Sequence, residues 1–270
     1  MRLLLALCTL SSWALTAELS PAEIVRRATE RESQNAKLRQ QYTYRESIWE
    51  RIAKTNGNLR SEERKVHDVF FIGGQEFRKL VEKDGQPLSD REAAKEKQRM
   101  EREIAKYKRE SPSETEKRLA KERREEQEFR DQFANGFTFR LVGEEPVAGR
   151  PCYRIHAEPK PGYPMKGDAK ILSKLKGDLW IDKEQYHWAR VEAESIDTIT
   201  ALGGLLRLSK GTTVKVGRTL VNNEVWFPDR IRVEANARAA FFIRAAVEME
   251  MLFSAFRKYT VDSTITLVAQ

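Results

Sequence analysis

One apolar register runs through segment after segment of this chain with a period of two. Phe137, Phe139 and Leu141 share it, as do Tyr153, Ile155 and Ala157, then Leu179 and Ile181, then Val191. Ile231, Val233 and Ala235 continue it, and Val247, Met249, Met251 and Phe253 alternate with Glu248 and Glu250. Alternation of this kind puts every apolar side chain of a strand on one face. A long sheet with one greasy face must curl on itself, meet a second sheet, or wrap a helix. The connections are short and no βαβ rhythm appears, so antiparallel order follows. Too few helical segments are present to cover a flat sheet. The expectation is a mainly β (α+β) chain folded as one curved antiparallel half-barrel of about 10–11 strands.

Three helix starts carry the same local chemistry. Ser20-Pro21-Ala22-Glu23, Ser89-Asp90-Arg91-Glu92 and Ser111-Pro112-Ser113-Glu114 each place a serine at the N-cap and a glutamate three residues on. The serine accepts a first-turn N–H, the glutamate reaches back, and proline at the first helical position forfeits nothing. They predict an N-terminal helix over 21–38 and two consecutive helices between 90 and 133. Residues 89–131 hold 14 Lys/Arg and 13 Asp/Glu, with a sparse stripe of Met100, Ile104 and Tyr107, then Leu119, Phe129 and Phe133. Such helices are solvated and held by opposite charges along their surface. The segment 89–133 reads as a charged helical insertion in a single domain spanning 18–270. A lid or a partner-binding arm is the other reading.

The first residues, MRLLLALCTLSSWALTA, have a short basic start, a short apolar run and a small residue at 17. They read as a cleaved signal peptide, 1–17, and place the protein in the periplasm. Leu7 is too bulky a residue before Cys8 for a lipoprotein anchor. Removal of the peptide leaves Cys152 as a lone cysteine, a packing residue rather than a nucleophile.

The net charge of +8 is spread among acidic residues, within a chain that is 33% charged. Solubility is the first meaning of such a surface, attraction to an anionic membrane the second, and nucleic acid is not expected. No phosphate-binding loop, hydrolase elbow, zinc-protease motif or dinucleotide fingerprint is present. His67, His156 and His187 are far apart and lie in segments that read as strands, so no metal site is expected, nor any cofactor.

The stretch KGDLWIDKEQYHWARVEAESI, then EVWFPDRIRVEANAR, then FSAFRKYTVDSTITLV resembles the superfamily of LolA/LolB-type outer-membrane lipoprotein carriers and the related sensor RseB. The resemblance covers mainly residues 136–270. It implies a half-barrel with helices against its concave side, whose concavity holds lipoprotein acyl chains or another hydrophobic ligand and performs no catalysis. The expected function is therefore that of an exported, non-catalytic carrier of lipid or lipoprotein acyl chains. An RseB-like regulatory protein docking a membrane protein is the alternative. The candidate cavity residues are Phe139, Leu141, Tyr153, Ile155, Leu179, Ile181, Val191, Val233, Met249, Met251 and Phe253. Flexible thioethers suit a wall that must fit varied chains. The same residues also suit a core filled by the first helix.

Within GDLWIDKEQYHWARVEAE, Trp180 and Trp188 fall in the polar register and Leu179, Ile181, Ala189 and Val191 in the apolar one. A three-residue loop at 183–185 would set Trp180 opposite Trp188 on the outer face.

Overall fold

The structure, a computed structural model, describes residues 19–201, 206–239 and 243–259. The expected signal peptide, the glycine pair at 203–204 and most of the strand expected over 258–269 lie outside the described residues.

Among the described residues, thirteen strands form one antiparallel, open, curved sheet. In chain order they are β1 (Tyr42–Lys54), β2 (Leu59–Ile72), β3 (Gln75–Lys83), β4 (Gln86–Pro87), β5 (Phe137–Val147), β6 (Arg150–Pro159) and β7 (Leu175–Asp182). β8 (Trp188–Ser195), β9 (Ile199–Ala201), β10 (Leu206–Leu208), β11 (Thr213–Val221), β12 (Val225–Ala239) and β13 (Ile243–Lys258) follow. Across the sheet the order is β4-β3-β2-β1-β13-β12-β11-β8-β7-β6-β5, with β10 and β9 added beside the far end of β12. The count exceeds the expected 10–11 because β4, β9 and β10 span only two or three residues each, too few for alternation to be read.

The three capped helices form where the serines place them. They are α1 (Pro21–Arg39), α2 (Asp90–Lys108) and α3 (Pro112–Gly136). Ser89–Glu92 and Ser111–Glu114 close reciprocal capping boxes, and Ser20 Oγ accepts from the Glu23 N–H at 3.2 Å. Turns are closed by residues that tolerate positive φ: Gly73-Gly74 joins β2 to β3, and Asn222-Asn223 joins β11 to β12.

α1 and α2 pack on different parts of the sheet. Ile24, Val25 and Ala28 of α1 are buried against Phe137, Ile155, Leu179 and Ile181. Met100, with Ile104 and Tyr107 beside it, packs on Phe70 and Phe77 of β2 and β3. α2 also covers the open edge of β3. Glu96 accepts from the Leu80 N–H at 2.7 Å and Arg99 donates to the Arg78 carbonyl at 2.6 Å. An edge strand left bare invites pairing with another chain, and these two side chains occupy two of its free groups. On α3, Phe133 packs on Phe137, Phe139 and Trp188. Leu119 and Phe129, expected in the same stripe, are exposed.

The β7–β8 hairpin corrects the expected pairing of tryptophans. Ile181 lies opposite Trp188 and Trp180 opposite Arg190, so Ala189 is an extra residue in a bulge. The loop runs over five residues, 183–187, because the buried Asp182 carboxylate gathers the Glu184 and Gln185 N–H groups and the Arg150 guanidinium. His187 therefore lies in the loop, not in a strand. Trp188 joins the cluster under α1, while Trp180 and Ala189 pack with Cys152 and Trp226 on the opposite face. Arg154 and Arg190 flank the Trp180 ring at 5.1 and 4.9 Å.

Candidate functional site: an open apolar strip beside the first helix

Register joins the apolar residues of separate strands into rows. One row reads Leu141–Ile155–Leu179–Val191–Val216–Ile231–Met251–Ile48, each residue paired with the next across adjacent strands. Paired residues point to the same side of a sheet, so eight strands contribute one side chain each to a single stripe. At ~4.8 Å per strand the row spans ~34 Å. A second row beside it reads Phe139–Ala157–Gly177–Ala193–Val214–Val233–Met249.

α1 covers only part of these rows. Phe139, Leu141, Tyr153, Ile155, Leu179, Ile181 and Val191 belong to the cluster beneath the helix, Ile155 and Ile181 completely buried. Val233, Met249, Met251 and Phe253 lie on the same face but outside that cluster. They remain half-buried, as do Val214, Val216, Ile231 and Ile48. The eleven predicted residues thus divide into seven that serve the core under α1 and four that border an open apolar strip. The strip also contains Val214, Val216, Ile231 and Ile48, which sequence reasoning did not single out as site residues. Register was the missing signal for Ile48, Val214 and Val216, which fall next to a named residue only after strands from distant parts of the chain are paired.

The strip ends abruptly at β1. Ile48 is paired with Lys65, and Lys65 with Lys83, while Met249 is followed by Glu50 and Glu63. At the boundary sits Glu46, fully buried between Phe253 and His67. Arg78 approaches Glu46 to 3.3 Å and His67 Nδ1 to 3.8 Å, yet neither carboxylate oxygen makes a hydrogen bond of good geometry. Burial raises the Glu46 pKa against the opposing pull of Arg78, and lowers that of His67. The face is thus apolar over its middle strands and charged beyond β1, a layout that suits an amphipathic ligand.

The C-terminal half of α1 is tied down by polar groups. β13 pairs with β12 only from Arg230 onward, so Trp226, which has Leu220 of β11 on one side, has no strand on the other. Asn35, 1% exposed, fills the gap: its Oδ1 accepts from the Trp226 N–H and its Nδ2 donates to the Trp226 carbonyl, both at 2.7 Å. Arg218 adds an ion pair to Glu32 at 2.7 Å and donates to the same carbonyl at 3.1 Å. Nearby, Leu38 closes over Tyr42, Val225 and Phe227.

Cys152 and His156 are both held in structural surroundings. Burial, reinforced by Asp182, pushes the Cys152 thiol up to about 11, so it stays protonated at neutral pH. His156 Nδ1 meets Asp178 at 2.6 Å, and Arg154 holds the same carboxylate in a cross-strand network. Among the described residues no group of three His, Cys, Asp or Glu is arranged to hold a metal ion.

No family model and no curated protein matches the chain. Similar solved structures include a DUF1329 family protein from Desulfovibrio piger, 11% identical, TM-score 0.33, covering 91% of this chain and 96% of that one. A LolA superfamily protein from Nitrosomonas europaea is 12% identical with TM-score 0.33, covering 90% and 96%. A domain from Vibrio parahaemolyticus, described as an outer membrane lipoprotein-sorting protein, is 11% identical with TM-score 0.33, covering 88% and 95%. The superfamily named from the three motifs is thus among the similar structures.

Proposed function

We propose that this chain is a non-catalytic, periplasmic carrier that holds acyl chains of a lipid or lipoprotein on the open apolar strip. The observation that carries the reading is the pair of in-register apolar rows that α1 covers only in part, leaving the strip from Val214 and Val216 to Ile48 half-exposed. Contiguous exposed apolar surface is uncommon on soluble proteins and marks a binding surface. Acyl transfer to such a strip is worth ~0.8 kcal/mol per buried CH₂. Affinity for a homologous series of fatty acids should therefore rise with chain length. Titration with a fluorescent fatty acid, and native mass spectrometry of protein purified from its host, test this. Bare polypeptide together with no probe binding would refute it.

A second reading, docking of a membrane protein, is favoured by Leu119 and Phe129, both exposed on α3. Deleting 90–133 would not test it cleanly, because α2 covers the β3 edge and Phe133 serves the core. The substitutions Leu119→Ser and Phe129→Ser leave both supports in place. They should abolish capture of such a partner and preserve acyl-probe binding.

A further inference from the structure

On the face opposite the apolar rows, three arginines stand side by side. Arg207 of β10 is paired with Arg238 of β12, and Arg238 with Arg244 of β13. All three are exposed, and among the described residues no carboxylate pairs with any of them. Further along the same face opposite charges do meet, as in Arg51–Glu248, Arg230–Glu250 and Arg232–Glu234. The acids on β12 and β13 nearest the ladder on that face, Glu234 and Glu248, are four residues away along their strands, ~13 Å, and each already has its own arginine. Like charges directly opposite one another weaken a sheet. Among the described residues the ladder therefore costs the fold stability and gains no partner in return.

The geometry points to an anionic membrane surface as its partner: Arg207, Arg238 and Arg244 form a docking row for the phosphates of phospholipid head groups. Three planar forks spaced ~4.8 Å apart present a flat front of ~10 Å. A single enclosed phosphate would need a cup of converging donors, and the row has none. Its position also suits a surface. Arg238–Arg244 lies one pair from the last described pair of β12 and β13, Ala239–Ile243, at the far end of the two longest strands. Val233 and Met249 of the apolar strip begin five residues back along these strands, on the other face. A membrane met by this end would lie close to the strip. The docking row stands on its own charges and is independent of acyl binding.

The test is flotation of the full chain with vesicles of phosphatidylglycerol in phosphatidylcholine, at low salt. The wild type should float with these vesicles, fail to float with phosphatidylcholine alone, and be released by added salt. Replacing all three by Arg207→Gln, Arg238→Gln and Arg244→Gln should weaken binding about 100-fold, from the usual contribution of a basic residue at an anionic surface. The variant should melt no lower than wild type, since repulsion has been removed, and should keep its affinity for a fluorescent fatty acid. Retained probe binding separates failure of the docking row from failure of the carrier reading. A control with Lys106→Gln, Lys108→Gln and Lys117→Gln makes the same charge change on exposed helix and should bind as wild type. The proposal falls if the wild type ignores phosphatidylglycerol, if the arginine triple binds normally, or if the two triples lose affinity alike. It also falls if inorganic phosphate at matched ionic strength displaces the vesicles, or if polyglutamate is retained by the ladder in their place.

Discussion

Asn35→Ala is the sharpest probe of how α1 is held. The amide side chain substitutes for a missing strand at Trp226, and both of its hydrogen bonds are buried. Alanine leaves the Trp226 N–H without a partner, which costs about 1–3 kcal/mol for a buried donor. The carbonyl keeps Arg218, so loss of the second bond adds only about 0.5–1.5 kcal/mol. Together the variant should lose about 2–4 kcal/mol, read as a lower urea midpoint followed by tryptophan fluorescence. Hydrogen exchange at the Trp226 amide should accelerate while the amides of β6 and β7 stay protected. Asn35→Asp keeps the acceptor for the Trp226 N–H and places its charge near Arg218, so it should lose less than the alanine variant. A loss below about 0.5 kcal/mol for Asn35→Ala, the range of an indifferent surface change, would refute the reasoning. So would unchanged protection at Trp226.

Other outcomes follow from single positions. Gly177→Ala should destabilise the sheet sharply and lower the urea midpoint, because a Cβ there would meet the Glu192 carbonyl oxygen at 2.0 Å and the Ala193 Cα at 2.7 Å. Glu96→Ala should uncover the β3 edge and promote self-association visible by light scattering, since the Leu80 N–H loses its acceptor. Burial, with the Arg218 charge adding to it, pulls His187 from 6.5 down to about 4. The folded state therefore favours the neutral ring. Its contribution to stability is full above about pH 6.5 and is lost as the pH falls toward 4, so His187→Gln should flatten the urea-midpoint profile across that window. Met251→Asp, in the half-exposed strip, should cut fatty-acid probe affinity at least about tenfold, because a carboxylate is costly to desolvate against an acyl chain. Its effect on the unfolding midpoint should be small.

The helices were legible in the sequence because their signals are local: a serine, a glutamate three residues on and, for α1 and α3, a proline between. The apolar faces of the strands were legible for the same reason. Connection was not. Ala189 carries no mark of a bulge, and the five-residue loop depends on what the Asp182 carboxylate can reach once folded. That one extra residue sends Trp188 under α1 and Ala189 to the other face, where Trp180 already lies. The division of the eleven candidate residues between core and strip was equally hidden, because it depends on where a 19-residue helix comes to lie. Asn35 is polar and sits within a helix, and nothing in its neighbours announces a bond to Trp226, 191 residues away. The arginine ladder is visible only when β10, β12 and β13 are laid side by side.

The rows also set which length changes the chain can absorb. The register shifts between β5 and β1 occur at Leu141/Gly143, Trp180/Ile181, Gly217/Arg218 and Thr43/Arg45, and all of them flank the two rows rather than interrupt them. A one-residue insertion inside any contributing strand would turn the remainder of that strand over and put a charge where its neighbours present a methyl group. Variants of this chain can therefore lengthen or shorten at the hairpin tips, and around the bulges that already exist, without reversing the face. Between those points each strand must keep its length even where its side chains change freely within the apolar set. Aligned relatives should show gaps clustered at the tips and uninterrupted blocks across the middle of the sheet, however little identity they share.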